Sequence, residues 1–170
     1  MDTTPLAARM RPQRIDDIVG QDHLLGEDAP FRAALSRGEL PSLLLWGPPG
    51  CGKTTLARLL ADHAGLKFLQ LSAVMDGIKE LRQVLSRVRD IQTLERKGSL
   101  LFIDEIHRWN KSQQDALLPH VEEGTVILVG ATTENPGFQI IPALRSRAWL
   151  LTLHPLNEQD TVALLQRALE

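Results

Sequence analysis

The sequence predicts an α/β fold, a doubly wound parallel sheet covered by helices on both sides, and three observations carry that expectation. Short apolar runs recur at 42–46, 67–71, 100–103, 125–129 and 149–153. Between them lie stretches whose apolar residues recur at helical spacing, the alternation that builds parallel sheets. The first run passes directly into Gly47-Pro48-Pro49-Gly50-Cys51-Gly52-Lys53-Thr54-Thr55, a glycine-rich turn opening a helix at a strand's carboxyl end, where open α/β sheets bind ligands.

In chain order, the first forty residues alternate charges with short apolar pieces, and Pro12 and Gly20 punctuate them as a loop or arm. After Pro30, Phe31, Ala34 and Leu35 mark a short helix ending near Gly38, where glycine suits a C-cap. Ser42 opens the first strand. The helix behind the glycine-rich turn covers Thr54 to His63, and Gly65 ends it before the strand Lys67–Leu71. From Gly77 to Glu95, Ile78, Leu81, Leu85, Val88 and Ile91 recur at helical intervals with charges on the other faces. Leu100–Ile103 is apolar at every position, as a strand buried on both faces requires, and ends in Asp104-Glu105. A helix from about Ser112 to Val121 precedes the strand Thr125–Val129, with Gly130 and Ala131 leading out of it. Trp149–Leu153 is the fifth strand. Asn157 and Asp160 cap a last helix carrying Val162, Leu164, Leu165 and Leu169, an unpartnered apolar face that points to a longer parent protein.

Composition sets bounds on function. A chain of 170 residues, 43% hydrophobic and 24% charged, suits one domain with a sizeable core. A net charge of −2 gives no bulk basic signal, so any nucleic-acid contact is a local patch. The single Cys51 excludes an intrachain disulfide and fits a reducing, cytoplasmic setting. Neither a signal peptide nor a membrane-spanning run is present, and five scattered histidines show no zinc-ligand spacing.

The chemistry concentrates at strand ends. Gly47, Gly50 and Gly52 permit backbone conformations in which successive N–H groups surround an anion. Lys53 adds charge for the β- and γ-phosphates of a nucleoside triphosphate, and the Thr54 hydroxyl is placed to ligate Mg²⁺. Asp104 would hold the hydrated metal, and Glu105 would orient or deprotonate the attacking water. Thr132-Thr133-Glu134-Asn135 leaves the fourth strand on the same rim, either as γ-phosphate contacts or as a turn before Pro136-Gly137. His107 could touch the water network, but a lone His beyond a strand reads first as a packed or solvated residue. Arg145 and Arg147 are surface charges or include a finger for a neighbouring subunit, and spacing leaves both open.

Together, Val19-Gly20-Gln21, Gly47 to Thr55, Asp104-Glu105-Ile106-His107-Arg108, Asn110 to Ala116 and Gly130 to Pro136 resemble the AAA+ ATPases. The likeness covers nearly the whole chain and is to the clamp-loader-like branch that includes replication factor C and RuvB. It implies a P-loop NTPase AAA+ core with a five-stranded sheet (41–155), an N-terminal arm on the nucleotide site (1–40) and the start of a helical lid (156–170). The rest of the lid and an oligomerisation region would lie beyond Glu170. Arg11, Val19 and Gly20 become base-pocket residues, Thr133 or failing it Thr132 the first sensor, and Arg147 the finger acting in trans. Cys51 departs from the Thr or Val expected at its position.

The resemblance also implies ATP and Mg²⁺ as cofactors, homo-oligomeric assembly, and DNA-stimulated ATP hydrolysis at stalled forks with single-stranded-DNA-binding protein as a partner. Lys79, Lys111 and Ser112, at helix starts suited to phosphates, would face DNA or simply solvent. A RuvB-like branch-migration motor, a clamp-loader subunit and a nucleotide-dependent scaffold remain as alternatives. Asp104-Glu105 weighs against the scaffold, which needs no water-activating carboxylate.

Overall fold

The computed structural model describes residues 5–169. Residues 1–4 of the expected arm and Glu170 of the expected lid lie outside the described residues. Strands β1 (Leu43–Trp46), β2 (Lys67–Ser72), β3 (Ser99–Asp104), β4 (Ile127–Thr132) and β5 (Trp149–Thr152) form one sheet in the order β2-β3-β4-β1-β5. Every pairing is parallel, with Leu43 opposite Val129 on one side and Trp149 on the other. Leu43, Leu45, Leu100 and Phe102 point into one core with Leu56, Leu60 and Phe31; Leu44, Leu101 and Ile103 point into the other with Leu81, Val88 and Trp109. Alternation along the strands therefore feeds two apolar layers, and helices cover both.

The helices are, in order, α1 (Leu6–Arg9), α2 (Asp22–Leu25), α3 (Pro30–Ser36), α4 (Lys53–His63), α5 (Ile78–Asp90), α6 (Lys111–Asp115), α7 (Leu118–Glu122), α8 (Pro136–Gln139), α9 (Pro142–Arg145) and α10 (Glu158–Leu169). Gly38 follows α3 at φ +75°, and Glu39 N–H donates to Ala34 O at 3.0 Å, which closes that helix as the glycine cap requires. Asn157 and Asp160 cap α10 reciprocally, each backbone N–H donating to the other side chain at 3.1 and 2.8 Å.

Several expected boundaries are corrected. The helix expected over 112–121 is two pieces, α6 and α7. Pro119 has no N–H and its ring cannot pass the preceding turn, so the chain restarts at Leu118. The fourth strand runs later than 125–129: Gly130, Ala131 and Thr132 pair within the sheet, Gly130 opposite Leu44 and Ile103. Glycine relieves tight packing there, since a Cβ would lie 3.0 Å from Ile106 Cδ1 and 3.1 Å from Leu44 Cδ2. The helix expected to Glu95 is α-helical to Asp90 and widens into a π-turn over Ile91–Glu95.

Candidate active site

The phosphate loop hangs between β1 and α4. Gly50 and Gly52 take φ of +77° and +94° with nothing near a hypothetical Cβ, so backbone conformation rather than space selects glycine. Gly47 is glycine for the opposite reason: a Cβ would meet Leu153 O and Cys51 Sγ, both at 2.8 Å. Gly52 caps α4, whose first amides have no intrahelical acceptor, and Gly52, Lys53, Thr54 and Thr55 line a cavity of about 400 Å³. A helix start with free N–H groups in a concavity is an anion site. Lys53 Nζ donates to Gly47 O and Pro48 O, both at 2.8 Å, on the rim of that cavity.

Asp104, Glu105, Thr132 and Thr133 complete the same cavity from the ends of β3 and β4. Leu100 to Ile103 are fully buried, so the strand that carries the carboxylates is fixed from both faces. Asp104 Oδ1 accepts from Glu105 N–H at 3.0 Å, and Glu105 is one of two non-glycine residues at positive φ (+51°) among the described residues. Such a conformation costs roughly 1 kcal/mol or more and turns the Glu105 carboxylate out of the strand direction into the cavity wall. Arg108 Nε stands 3.8 Å from Glu105 Oε2.

The two threonines differ. The buried Thr132 hydroxyl lies 2.9 Å from His107 Nδ1, accepts from Glu134 N–H at 3.0 Å and reaches Glu134 O at 3.2 Å. Its hydrogen-bonding capacity is thus occupied within the chain, whereas the half-buried Thr133 lines the cavity with its hydroxyl uncommitted among the described residues. His107, expected to be packed or solvated, is half-buried and hydrogen-bonded to the end of β4.

The oxygen donors fit Mg²⁺. Thr54 and Asp104 bring hard oxygen ligands to one cavity, and no group of three or more His, Cys, Asp or Glu among the described residues forms an all-protein metal cage. Mg²⁺ suits that arrangement because it keeps waters and shares phosphate oxygens.

A second, apolar cavity of about 450 Å³ opens beside the first and shares Gly50, Gly52 and Thr55 with it. Arg11 and Val19 line it together with Met10, Ile18, Cys51 and Leu156. Gly20 does not: at φ +85° it packs under the approach to α10, where a Cβ would lie 2.9 Å from Leu156 Cδ2. The sequence did not single out Leu164, Leu165 and Ala168 of α10 as the opposite wall. Their amphipathic spacing was visible, but the surface they cover was not.

Arg147 lies outside this chain's own cavity, paired with Glu122 at 2.6 Å and donating to Ala143 O at 2.8 Å. Lys79, Lys111 and Ser112 are exposed at the starts of α5 and α6. Those starts adjoin: a Cβ on Gly77 would be 3.7 Å from Gln113 Nε2, and Trp109 Nε1 donates to Asp76 O at 2.9 Å.

Strand order, phosphate loop and acidic strand end define a P-loop nucleotide-binding protein. Residues 43–153 match the ATPase family associated with various cellular activities (AAA), and the chain belongs to that family. It is 50% identical over 168 residues to replication-associated recombination protein A of Coxiella burnetii, and 48% identical over 166 residues to the protein of that name in Escherichia coli K12. These matches take in 99% and 98% of this chain, which spans 38% and 37% of the length of the two relatives. Among solved structures, the RuvB Holliday junction branch migration motor of Thermotoga maritima matches with a TM-score of 0.71 at 33% identity, over 93% of this chain and 53% of that one. Among the described residues, no helix is long and apolar enough to cross a membrane.

Proposed function

We propose that this chain is the ATP-binding and ATP-hydrolysing module of a DNA-stimulated AAA+ ATPase acting in replication-fork maintenance, recombination and repair. One observation carries it: Lys53, Thr54, Asp104, Glu105 and Thr133, from three separate segments, line a single cavity at the carboxyl rim of the sheet. Loop amides and Lys53 bind the phosphates, and the apolar cavity beyond Thr55 takes the base. Thr54, directly, and Asp104, through water, would hold Mg²⁺, which would supply charge compensation for the phosphates. Glu105 orients or deprotonates the attacking water, while Thr133 positions the γ-phosphate. The relatives named for replication-associated recombination support the assignment to fork and recombination work.

In the same proposal, 41–155 is the catalytic core, 1–40 an arm over the base and 156–170 the first part of a lid. Subunits assemble so that Arg147 enters the next subunit's cavity. Its surface pair with Glu122 is no obstacle, since exposed ion pairs are worth at most about 1 kcal/mol. DNA passes the adjoining helix starts that carry Lys79, Lys111 and Ser112.

The test is ATP turnover by the intact protein with single-stranded, duplex and forked DNA. DNA should raise turnover in the parent, and Glu105→Gln should bind ATP yet stay silent with every DNA. Turnover indifferent to all three DNAs would refute the DNA-stimulated reading. The likeness to RuvB favours a second possibility, a branch-migration motor. It demands that the intact protein move a four-way junction directionally at the expense of ATP.

A further inference from the structure

We infer that a third concavity, lined from α6, α8 and α9, takes an unpaired nucleotide of single-stranded DNA, its base stacked on Phe138 and its phosphates on Lys111 and Arg145, a proposal that rests on the DNA-dependent activity above. This pocket measures about 580 Å³, is lined by Arg108, Lys111 and Arg145, and has no Asp or Glu in its wall. Among the described residues neither Lys111 nor Arg145 makes an ion pair, so two of its three cations are available to an anion.

Phe138 supplies the stacking surface. It is 86% exposed, twice the value of Trp149 at 43%, and it stands on the pocket rim. Leaving an aromatic ring in water has no folding benefit, and here the backbone on both sides of it is tied down. Pro136 is buried, Asn135 Oδ1 accepts from Gly137 N–H at 2.8 Å, and the buried Gln114 side chain donates to Gln139 O at 3.0 Å and accepts from Ile141 N–H at 2.9 Å. An exposed aromatic face on an anchored segment beside unpaired cations is the combination by which proteins hold single strands without reading sequence: bases stack, phosphates pair. Duplex DNA does not satisfy it, because its bases are already stacked. An acidic peptide or a second copy of the chain would use the cations but has no equal need of the exposed ring.

The experiment measures binding of the intact protein to an oligothymidylate containing one 2-aminopurine, whose fluorescence is quenched by stacking, and to a duplex of equal length. Phe138→Ala should weaken single-strand binding about 5- to 100-fold, with loss of quenching, and leave duplex binding and DNA-free ATP turnover unchanged. Phe138→Tyr should restore both single-strand affinity and quenching. Retained affinity and quenching in Phe138→Ala overturns the inference, as does a change confined to self-association or to capture of an acidic peptide. If Lys79→Glu abolishes DNA stimulation while Phe138→Ala behaves as the parent, the nucleotide pocket alone falls. If the parent binds neither DNA, both proposals fall.

Discussion

Lys53 and Glu105 share a cavity yet should control different quantities. Lys53→Ala removes the charge facing the β- and γ-phosphates and should abolish ATP binding, whereas Glu105→Gln should keep affinity and stop turnover. Calorimetry with ATP and Mg²⁺ beside a turnover assay separates them, and equal loss of affinity in both variants would refute the division of labour. The threonines give a second contrast. Thr133→Val should reduce turnover with affinity retained, while Thr132→Val should act through the fold, because it strands His107 Nδ1 and Glu134 N–H and should cost about 1–3 kcal/mol in denaturant unfolding. Lys53, Thr54, Asp104 and Glu105 were legible in the sequence because the spacing of glycines and the apolar strand dictate where the backbone places them. The choice between Thr132 and Thr133 was not. Both line the cavity, and which hydroxyl is left free there depends on His107, a partner 25 residues back in the chain.

At the scale of elements, strands and long helices followed from periodicity, whereas α8 and α9 did not, being too short to show a period. The fourth strand was placed too early because Gly130 read as punctuation, although it is the residue that lets Ile106 and Leu44 close over the sheet. Gly130→Val should therefore destabilise the fold by about 1–3 kcal/mol in urea, despite the strand propensity of valine. The start of α5 carries a pH-dependent contribution. Glu80 accepts from Gly77 N–H at 2.8 Å, and this bond, then its own backbone N–H, hold its carboxyl below the usual range. A carboxyl lowered in the folded state stabilises above the unfolded value and loses that contribution as pH falls through the lowered one. Melting temperatures measured from neutral pH to about pH 3 should fall less steeply for Glu80→Gln than for the parent; identical slopes would show that the cap does not titrate with folding.

For the whole molecule, the proposed division between subunits makes the sharpest demand. In the intact protein Arg147→Ala should bind ATP normally and lose about 10³–10⁵ in turnover. Mixed with Lys53→Ala subunits under exchange, it should regain part of the activity, since an intact cavity then meets an intact finger. Verified mixed oligomers that stay inactive would return Arg147 to a structural role with Glu122. The isolated 170-residue chain should bind nucleotide and turn it over slowly. The strand order also sets a timetable during synthesis. β2 and β3 are neighbours in sequence and sheet, so they can pair as they leave the ribosome. β1, at 43–46, pairs only with β4 and β5 and must wait for residues 127–152. At about 5–20 residues per second, Leu43, Leu44 and Leu45 stay without sheet partners for roughly 5–20 s. Nascent chains stalled near residue 125 should therefore present this apolar strand to chaperones and gain no protease protection from ATP, which only chains released past β5 should acquire.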